Sequence, residues 1–512
     1  MNLSKSRYVA GLQCPKIVWM NKNMPEQRAE QDDLVFIRGI EVGDYAKEFY
    51  SPCAEVEYDE NLTIMVENTR KLLESDAPVI AEASFSYDRN FCSVDILKKN
   101  ENGYEIIEVK SSSGTDGNEL EDLQKIAKNK TYLDDMAYQY YVVSSWMKEN
   151  LPGRAVTKVS LLRLNKEYTR SNGEPLFIPL DCTNEVMNRQ QDIENNIKHI
   201  LKIAGQKDEP TEKIGIRCDE PHECGFKKWC FKDLPENNVF DIGWSMNKKK
   251  KYEAYDSGII SFQDVLDAGI KLPERASRQV EFTVNNSEPY IDKTQIHEFL
   301  YKSLDFPLYF LDFEWLTMMP IPPHDNLRPY ENSLFQYSIH LQKERRGPVE
   351  HMEFLGLPGV DSRRALAAQL CADIPKGSCI TSFSAASAEK PRLRELAKLF
   401  PDLSEHLLDI DKNTVDLAEP FRKGHYYCTQ MRGKFSIKSV LPALFPDDPE
   451  LSYEELEIKK YGGVIRIYSQ MFKEHTLEDV PKKIEALLKY CRLDTLAMAK
   501  IVNKLHEIIG EQ

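Results

Sequence analysis

Short runs rich in β-branched and aromatic residues, with partial apolar and polar alternation, occupy residues 78–87 (PVIAEASFSY), 91–99 (FCSVDILKK) and 104–112 (YEIIEVKSS). Asp-Arg-Asn and Asn-Glu-Asn-Gly turn signals separate them, so the pattern predicts a β-meander. Helical apolar periodicity over Tyr132–Glu149 and Asn184–Ala204 surrounds it, which makes the first part of the chain a mixed α/β region. From about Asn237 to Arg278 the character changes. The lysine run Lys248–Lys251 precedes YEAYDSGIISFQDVLDAGI, where Gly258 and Gly269 punctuate short helices. A new α/β pattern starts near Tyr290 with a helix over Thr294–Ser303, the apolar strand PLYFLDFEW (307–315) and a second strand LFQYSIHLQ (334–342). Helices rich in Leu, Ala and Lys follow, and the chain closes on an amphipathic helix, Val480–Ile509. The expected organisation is an α/β domain over residues 1–235, a small helical linker over 236–290 and a second α/β domain over 291–512. No repeat is visible.

A chain of 512 residues suits several domains. Its 41% apolar and 10% aromatic content is ordinary globular usage, which excludes fibrous, coiled-coil and disordered classes. Acidic residues outnumber basic ones by 82 to 67, a net charge of −15. That excludes a polycationic nucleic-acid coat while leaving room for a local basic groove. The first twenty residues intersperse Lys5, Arg7 and Lys16 among apolar ones, without a signal-like apolar core, and no run approaches about 18 apolar residues. A cytoplasmic protein without membrane spans is expected. Eleven scattered cysteines argue against a disulfide scaffold and for reduced thiols or metal ligands.

In CDEPHECGFKKWC, five residues separate Cys218 from Cys224 and Cys224 from Cys230, while Cys14 stands alone in GLQCPK. Three nearby thiolates with a distant fourth suit a 4Fe-4S cluster. Zinc and free thiols are the alternatives. Either metal would staple residue 14 to the 218–230 segment, a structural role. Trp229, beside the last of these cysteines, reads as core packing.

Asp95 falls on the middle strand of the meander, and Glu108 and Lys110 fall on the next, facing the same way because strand side chains alternate. Two carboxylates and an ammonium suit phosphodiester hydrolysis, with Mg2+ on Asp95 and Glu108; an exposed cross-strand ion pair is the plainer reading. The order Glu82, Asp95, Glu108-Val109-Lys110, then Gln139 and Tyr141 on a helix, resembles the PD-(D/E)XK nuclease superfamily. With Cys14 upstream and three cysteines downstream, it resembles the iron-sulfur RecB-type nucleases of the CRISPR-associated and AddB-like branches. The resemblance covers residues 1–232. It implies a restriction-endonuclease-like core, catalytic positions at Glu82, Asp95, Glu108, Lys110 and Gln139, and cluster ligands at Cys14, Cys218, Cys224 and Cys230. Many relatives carry a histidine before the meander; here the first histidine is His199.

In the second α/β region, Asp312 and Glu314 sit two apart, on one face of an apolar strand. Burying both without a cation would raise each one's pKa, and a divalent metal removes that cost; two solvated acids at a strand end are the alternative. Tyr490 and Asp494 lie four apart, on one helical face, and Glu389 follows the small-residue stretch SFSAASAEK. Asp312, Glu314, Glu389, Asp494 and Tyr490 resemble the DEDD exonucleases of the RNase H-like fold, in the tyrosine-bearing subclass that includes RNase D. That resemblance implies Mg2+ or Mn2+, in-line attack of water, and Tyr490 positioning the nucleophile. Ala385 and Ala388 stand where relatives have Asn and an aromatic, and Asp416 in TVDL is a substitute fourth ligand. With RPYENSLFQYSIH, FSIKSVLPALFP and the opening LSKSRYVAGLQCPK, the chain resembles a bacterial family of unknown function that fuses the two modules.

Lys434 and Lys438, flanking Phe435 and Ser436, combine cation and aromatic as a grip on a nucleic-acid strand. Lys248–Lys251 offers a second contact; a solvated basic face is the alternative for both. The expected protein is thus a metal-dependent nuclease acting on DNA, or on RNA at its second site. A nucleic-acid-binding scaffold without turnover and a zinc-stapled interaction protein are the competing readings.

Overall fold

The three strands of the meander form side by side in the computed structural model, which is an α/β protein. It describes residues 3–510 apart from 31–32, 115–116, 118, 129, 244–245, 454–455, 457, 459–462 and 474–479. The chain divides into two compact units, Met1–Asp233 with Met319–Glu331, and Leu234–Met318 with Asn332–Gln512.

The first unit contains β1 (Leu3–Ser4), β2 (Ala54–Glu55), β3 (Val79–Tyr87), β4 (Asn90–Asn100), β5 (Gly103–Gly114), β6 (Val156–Asn165) and β7 (Phe177–Asp181). They pair in the order β2-β3-β4-β5-β6-β7, with β1 alongside β4. The meander β3-β4-β5 is antiparallel, and β6 joins β5 in parallel. A parallel neighbour needs a crossover, which helix α3 (Lys130–Asn150) helps supply. The other helices used below are α1 (Lys5–Gln13) and α2 (Asp33–Phe49). Leu133, Met136, Ala137 and Tyr138 of α3 pack on Phe85, Val94, Ile106 and Leu161. Val42 and Ala46 of α2 pack on Ala81, Ile96, Ile107 and Leu162, a cluster that Ile321 completes. The helix expected over Asn184–Ala204 is two helices, Thr183–Met187 and Gln190–Ala204. At the break the Gln190 side chain donates to the carbonyls of Ala137 and Val186.

In the second unit β8 (Tyr290–Ile291) pairs with β14 (Tyr426–Tyr427). The main sheet holds β9 (Leu308–Leu316), β10 (Ser333–Gln342), β11 (Val349–Leu355), β12 (Cys379–Ser382) and β13 (Thr414–Asp416) in the order β11-β10-β9-β12-β13. The first three strands are antiparallel, and β12 and β13 continue from β9 in parallel. Three helices matter for the site: α4 (Glu389–Leu399), α5 (Ile437–Leu444) and α6 (Val480–Ile508). Residues 236–290, read as a separate linker, form short helices with a small core of their own that includes Val239, Phe262, Val265 and Val280. They belong to this second unit. Among the described residues no helix is long and apolar enough to cross a membrane.

Candidate active sites and thiol cluster

Helix α1 ends at Cys14, whose backbone is extended, and Pro15 opens the next helix, Pro15–Asn23. Proline fits a first helical turn because the missing N–H has no intrahelical acceptor there. The thiol is thereby presented at a break between helices. Gln13 ties this corner to the cysteine loop by donating to the carbonyls of Arg217 and His222, both at 2.8 Å. Cys14, Cys218, Cys224 and Cys230 line one small cavity with Ile17, Met20 and Phe226. Trp229 packs against the neighbouring Trp19, Met20 and Phe226 cluster, as expected of it. Burial raises the thiol pKa of Cys14 and Cys224 and brings Cys230 up to about 11, with Lys16 opposing and the other cysteines adding. Thiols so disfavoured as anions are inert unless a metal displaces their protons. Among the described residues the one tight group of metal-ligating atoms, all within 4.8 Å of one another, is Asp312, Glu314 and Asp494, and the cysteines form no such group. Zinc, with bonds of about 2.3 Å, would draw its sulfurs to about 3.8 Å of one another.

In the first unit, Ile96 of β4 stands opposite Ile107 of β5, so the next step of the ladder brings Asp95 level with Glu108. Asp95 accepts from the Val109 N–H at 2.8 Å. Glu108 is fully buried. It contacts Lys110 Nζ, accepts from Gln139 Nε2 at 2.6 Å and from Lys5 Nζ at 3.3 Å. Lys110 also pairs with Asp135 at 3.0 Å, and Lys5 with Asp95 at 3.3 Å. Burial disfavours the Glu108 carboxylate, but Lys110, Lys5 and the Gln139 hydrogen bond outweigh it and hold its pKa below the usual range. Burial, then the charge of Glu108, pushes Asp95 and Asp135 upward. Glu82 lines the same cleft. It takes φ +55° where the β3–β4 pairing skips from Ala81–Ile96 to Ala83–Val94, a left-handed conformation that costs a non-glycine residue roughly 1–3 kcal/mol. Glu82, Asp95, Glu108, Lys110 and Gln139 therefore occupy one site. Two members went unread in the sequence. Lys5 lies 90 positions before Asp95 and carries no local signal, whereas Asp135, one helical turn before Gln139, was visible in the spacing. Tyr141 lies outside the site and packs edge-on against Tyr87.

In the second unit Asp312, Glu314, Glu389, Tyr490 and Asp494 line a cleft of about 280 Å³ together with Lys438. Asp312 and Glu314 share a face of β9, and α6 brings Asp494 to them. Glu389, at the start of α4, is 2% exposed, and one of its carboxylate oxygens has no hydrogen-bond donor. Burial is the first cause that raises these acids, and their mutual repulsion is the second: Asp312 rises well above its usual value, and Glu314 goes to about 8. Burial chiefly takes Glu389 to about 8 and Asp494 to about 6, the latter held back by its hydrogen bond from Tyr453 and by Lys438. Tyr490 and Tyr453 stack obliquely at 5.9 Å, and the Lys438 ammonium lies 5.4 Å from the Tyr490 ring centre. Burial and the nearby acids raise the Tyr490 phenol, so it stays protonated.

Three corrections accompany this geometry. Asp416, the substitute fourth ligand, is committed elsewhere, accepting from the N–H groups of Ser384 and Ala418 at 2.9 and 3.0 Å and pairing with Arg422 at 2.8 Å. Phe435 is half-buried against the core instead of offering a free stacking face, and exposed Lys434 beside it lines a different small cavity, with Arg275 and Arg278. In the lysine run, Lys251 donates to the carbonyls of Phe240 and Ile242, which removes it from any strand contact.

The placement of Asp494 depends on residues with no motif of their own. Gln336 donates to the Leu487 carbonyl at 3.0 Å, and the Thr495 hydroxyl meets Ser338 at 2.8 Å and His340 at 2.7 Å. This polar clasp fixes α6 on β10 beside the acids. Thr495→Val would leave the buried His340 Nδ1 without its mate, whereas Ser338 keeps His351 at 3.0 Å, at a cost of about 1–3 kcal/mol, visible as an earlier midpoint in urea unfolding.

A family described as a domain of unknown function (DUF2779) matches residues 309–436, a stretch that contains Asp312, Glu314, Glu389 and Asp416 but stops before Tyr490 and Asp494. No curated protein matches the chain.

Proposed function

We propose that the chain is a metal-dependent nuclease with one phosphodiester-hydrolysing site in each unit. The observation that carries the reading is the gathering of Asp312, Glu314 and Asp494 within 4.8 Å, beside the unpaired buried oxygen of Glu389. Such a group is self-repelling until cations enter it. Asp312, Glu314, Glu389 and Asp494 would hold Mg2+ or Mn2+ in the second unit, and Asp95 and Glu108 would hold it in the first. When bound, the metal supplies an activated water and neutralises charge on the phosphate. The chain's own groups do the rest. Tyr490, kept protonated, donates a hydrogen bond to orient the attacking water. Lys438, exposed at the cleft, meets the phosphate backbone. In the first unit Lys110, held charged by Glu108 and Asp135, offers its ammonium to developing negative charge, and Gln139 keeps Glu108 in place. DNA is the substrate that the resemblance of the first unit favours, and the second suits a DNA or RNA end.

The test is hydrolysis of single-stranded DNA, duplex DNA and RNA in Mg2+ or Mn2+ by the wild type, Lys110→Ala and Asp312→Ala. Each variant is expected to lose a distinct part of the activity. Unchanged hydrolysis in both would defeat the proposal. Binding without turnover at the first site is the second reading, favoured by Lys5, whose ammonium already bridges Asp95 and Glu108. It predicts that Lys110→Ala changes no hydrolysis while nucleic acid still binds.

The four cysteines are read as ligands of a 4Fe-4S cluster, supported by the small cavity that they share. Protein purified without air should be brown, with a broad visible absorbance band that Cys14→Ser abolishes. A colourless protein holding one equivalent of zinc would refute the assignment.

A further inference from the structure

Lysine is poorly suited to the place where Lys5 stands. It opens α1, and the N-terminal end of a helix carries partial positive charge that favours acidic side chains and disfavours ammonium groups. The backbone around it is nevertheless firmly held. β1 pairs with β4 through Leu3–Asn90 and Ser4–Phe91. Leu3 is fully buried, its N–H donates to the Arg89 carbonyl at 2.9 Å, and its own carbonyl accepts from the Tyr138 hydroxyl. Ser4 caps the helix by accepting from the Arg7 N–H at 3.4 Å. Local structure gains nothing from a cation at position 5, so the reason for it lies at the far end of the side chain.

That end sits among the acids of the first cleft. Lys5 Nζ lies 3.3 Å from Asp95 Oδ1, and 3.4 and 3.3 Å from the two oxygens of Glu108. It therefore holds an oxygen of each acid that a bridging Mg2+ would need, and two cations repel strongly at such range. The lengths show which contacts can yield. Hydrogen bonds between an ammonium and a carboxylate at full strength run about 2.7–2.9 Å, and all three of these are longer. Lys110, by contrast, is clamped between Glu108 and Asp135. Asp95 keeps the Val109 N–H on its other oxygen, and Glu108 keeps Gln139, so both acids stay aimed when Lys5 lets go. With its backbone pinned, Lys5 moves only by turning about its flexible stem, which leaves the ammonium at the wall of the same cleft. A phosphodiester entering that cleft meets Glu82, Asp95 and Glu108, and it needs a cation that those acids have released.

We infer that Lys5 is a catalytic residue with two positions: it bridges Asp95 and Glu108 until a divalent cation takes those oxygens, and it then swings to hold the phosphate whose bond is cut. This rests on the nuclease reading of the first site and adds a residue to it. The bridge becomes the resting half of an exchange.

The test pairs metal binding with turnover, in protein carrying Asp312→Asn so that the second cleft does not contribute. Electron paramagnetic resonance follows Mn2+ binding to this reference, and cleavage of a DNA duplex with single-stranded overhangs at saturating Mn2+ gives kcat and KM. Lys5→Met keeps the stem and removes the charge. A site open only about a tenth of the time binds about tenfold more weakly than one always open. Lys5→Met should therefore bind Mn2+ at least about tenfold more tightly than the reference, while its kcat/KM falls by about tenfold or more through loss of a charge-assisted contact to phosphate. A merely structural lysine would weaken both on removal. A crystal structure of the reference with Mn2+ gives a check that needs no change at position 5: the ion on Asp95 and Glu108, with Lys5 Nζ beyond hydrogen-bond reach of both. Unchanged or weaker Mn2+ binding in Lys5→Met, turnover equal to the reference, or Lys5 still on both carboxylates beside bound Mn2+ would overturn the inference. In those cases, hydrolysis that Lys110→Ala abolishes would leave the nuclease reading standing. Failure of the wild type to cleave any nucleic acid would sink both.

Discussion

Asp312→Asn should abolish hydrolysis at the second site, by at least about a thousandfold or roughly 4 kcal/mol of transition-state stabilisation, while making the metal-free protein more stable. The two effects have one cause. Asp312 is pushed well above its usual pKa by burial and then by Asp494, Glu314 and Glu389, so the apo site stores repulsion that one neutral amide relieves. A gain of roughly 1–3 kcal/mol is expected in chelator, the usual exchange of stability for function, and the thermal midpoint should rise by about 2–4 °C for each kcal/mol. Mn2+ should raise the wild-type midpoint through binding to the folded state, and the part of that rise due to the second cleft should vanish in the variant. The pH dependence follows from the same acids. Glu314 and Glu389 rise from 4.5 to about 8, so between those values the unfolded chain has released protons that the folded chain retains. Metal-free wild type should therefore lose stability as pH climbs from about 4.5 to about 8. A less stable Asp312→Asn in chelator would contradict this account.

Glu108→Ala should behave in the opposite way, destabilising the protein by about 1.5–3 kcal/mol, because the charge-assisted hydrogen bonds that hold this buried carboxylate are lost. Glu108 is fully buried and bonded to Lys5, Lys110 and Gln139, so its removal takes the shared anion from both ammonium groups and leaves Lys5 with Asp95 alone and Lys110 with Asp135 alone. Because its folded pKa is held below the usual carboxylate range, Glu108 contributes stability above its unfolded value and loses that contribution as pH falls toward the folded one. Glu108→Gln, which keeps the Gln139 contact within reach, should cost less. Urea unfolding at neutral pH measures both, and a wild-type midpoint for Glu108→Ala would refute the charge network. The contrast with Asp312 separates the two clefts physically. One acid is stabilised by lysines before any metal arrives, and the other is not.

What the sequence made readable was local. The meander was legible because its turns are marked by Asp-Arg-Asn and Asn-Glu-Asn-Gly, and alternation along β5 put Glu108 and Lys110 on one side. The spacing of Tyr490 and Asp494 gave their shared helical face. Contacts closed over long loops were not legible. Lys5 meets Asp95 and Glu108 from the start of the chain, and Gln336, Ser338 and His340 hold α6 through Thr495, with no spacing rule to announce either. The left-handed turn at Glu82 was hidden too, since nothing marks a glutamate for positive φ. Phe435 misled for a related reason: an aromatic between two lysines looks the same whether its ring faces a strand of nucleic acid or the core.

The most direct test of two separate metal-holding clefts is a titration of apo protein with Mn2+, followed by electron paramagnetic resonance, in wild type, Asp95→Asn, Asp312→Asn and the double variant. The account predicts that each single change removes a different set of bound ions and that the double variant binds none specifically. Wild-type Mn2+ binding in the double variant would contradict it.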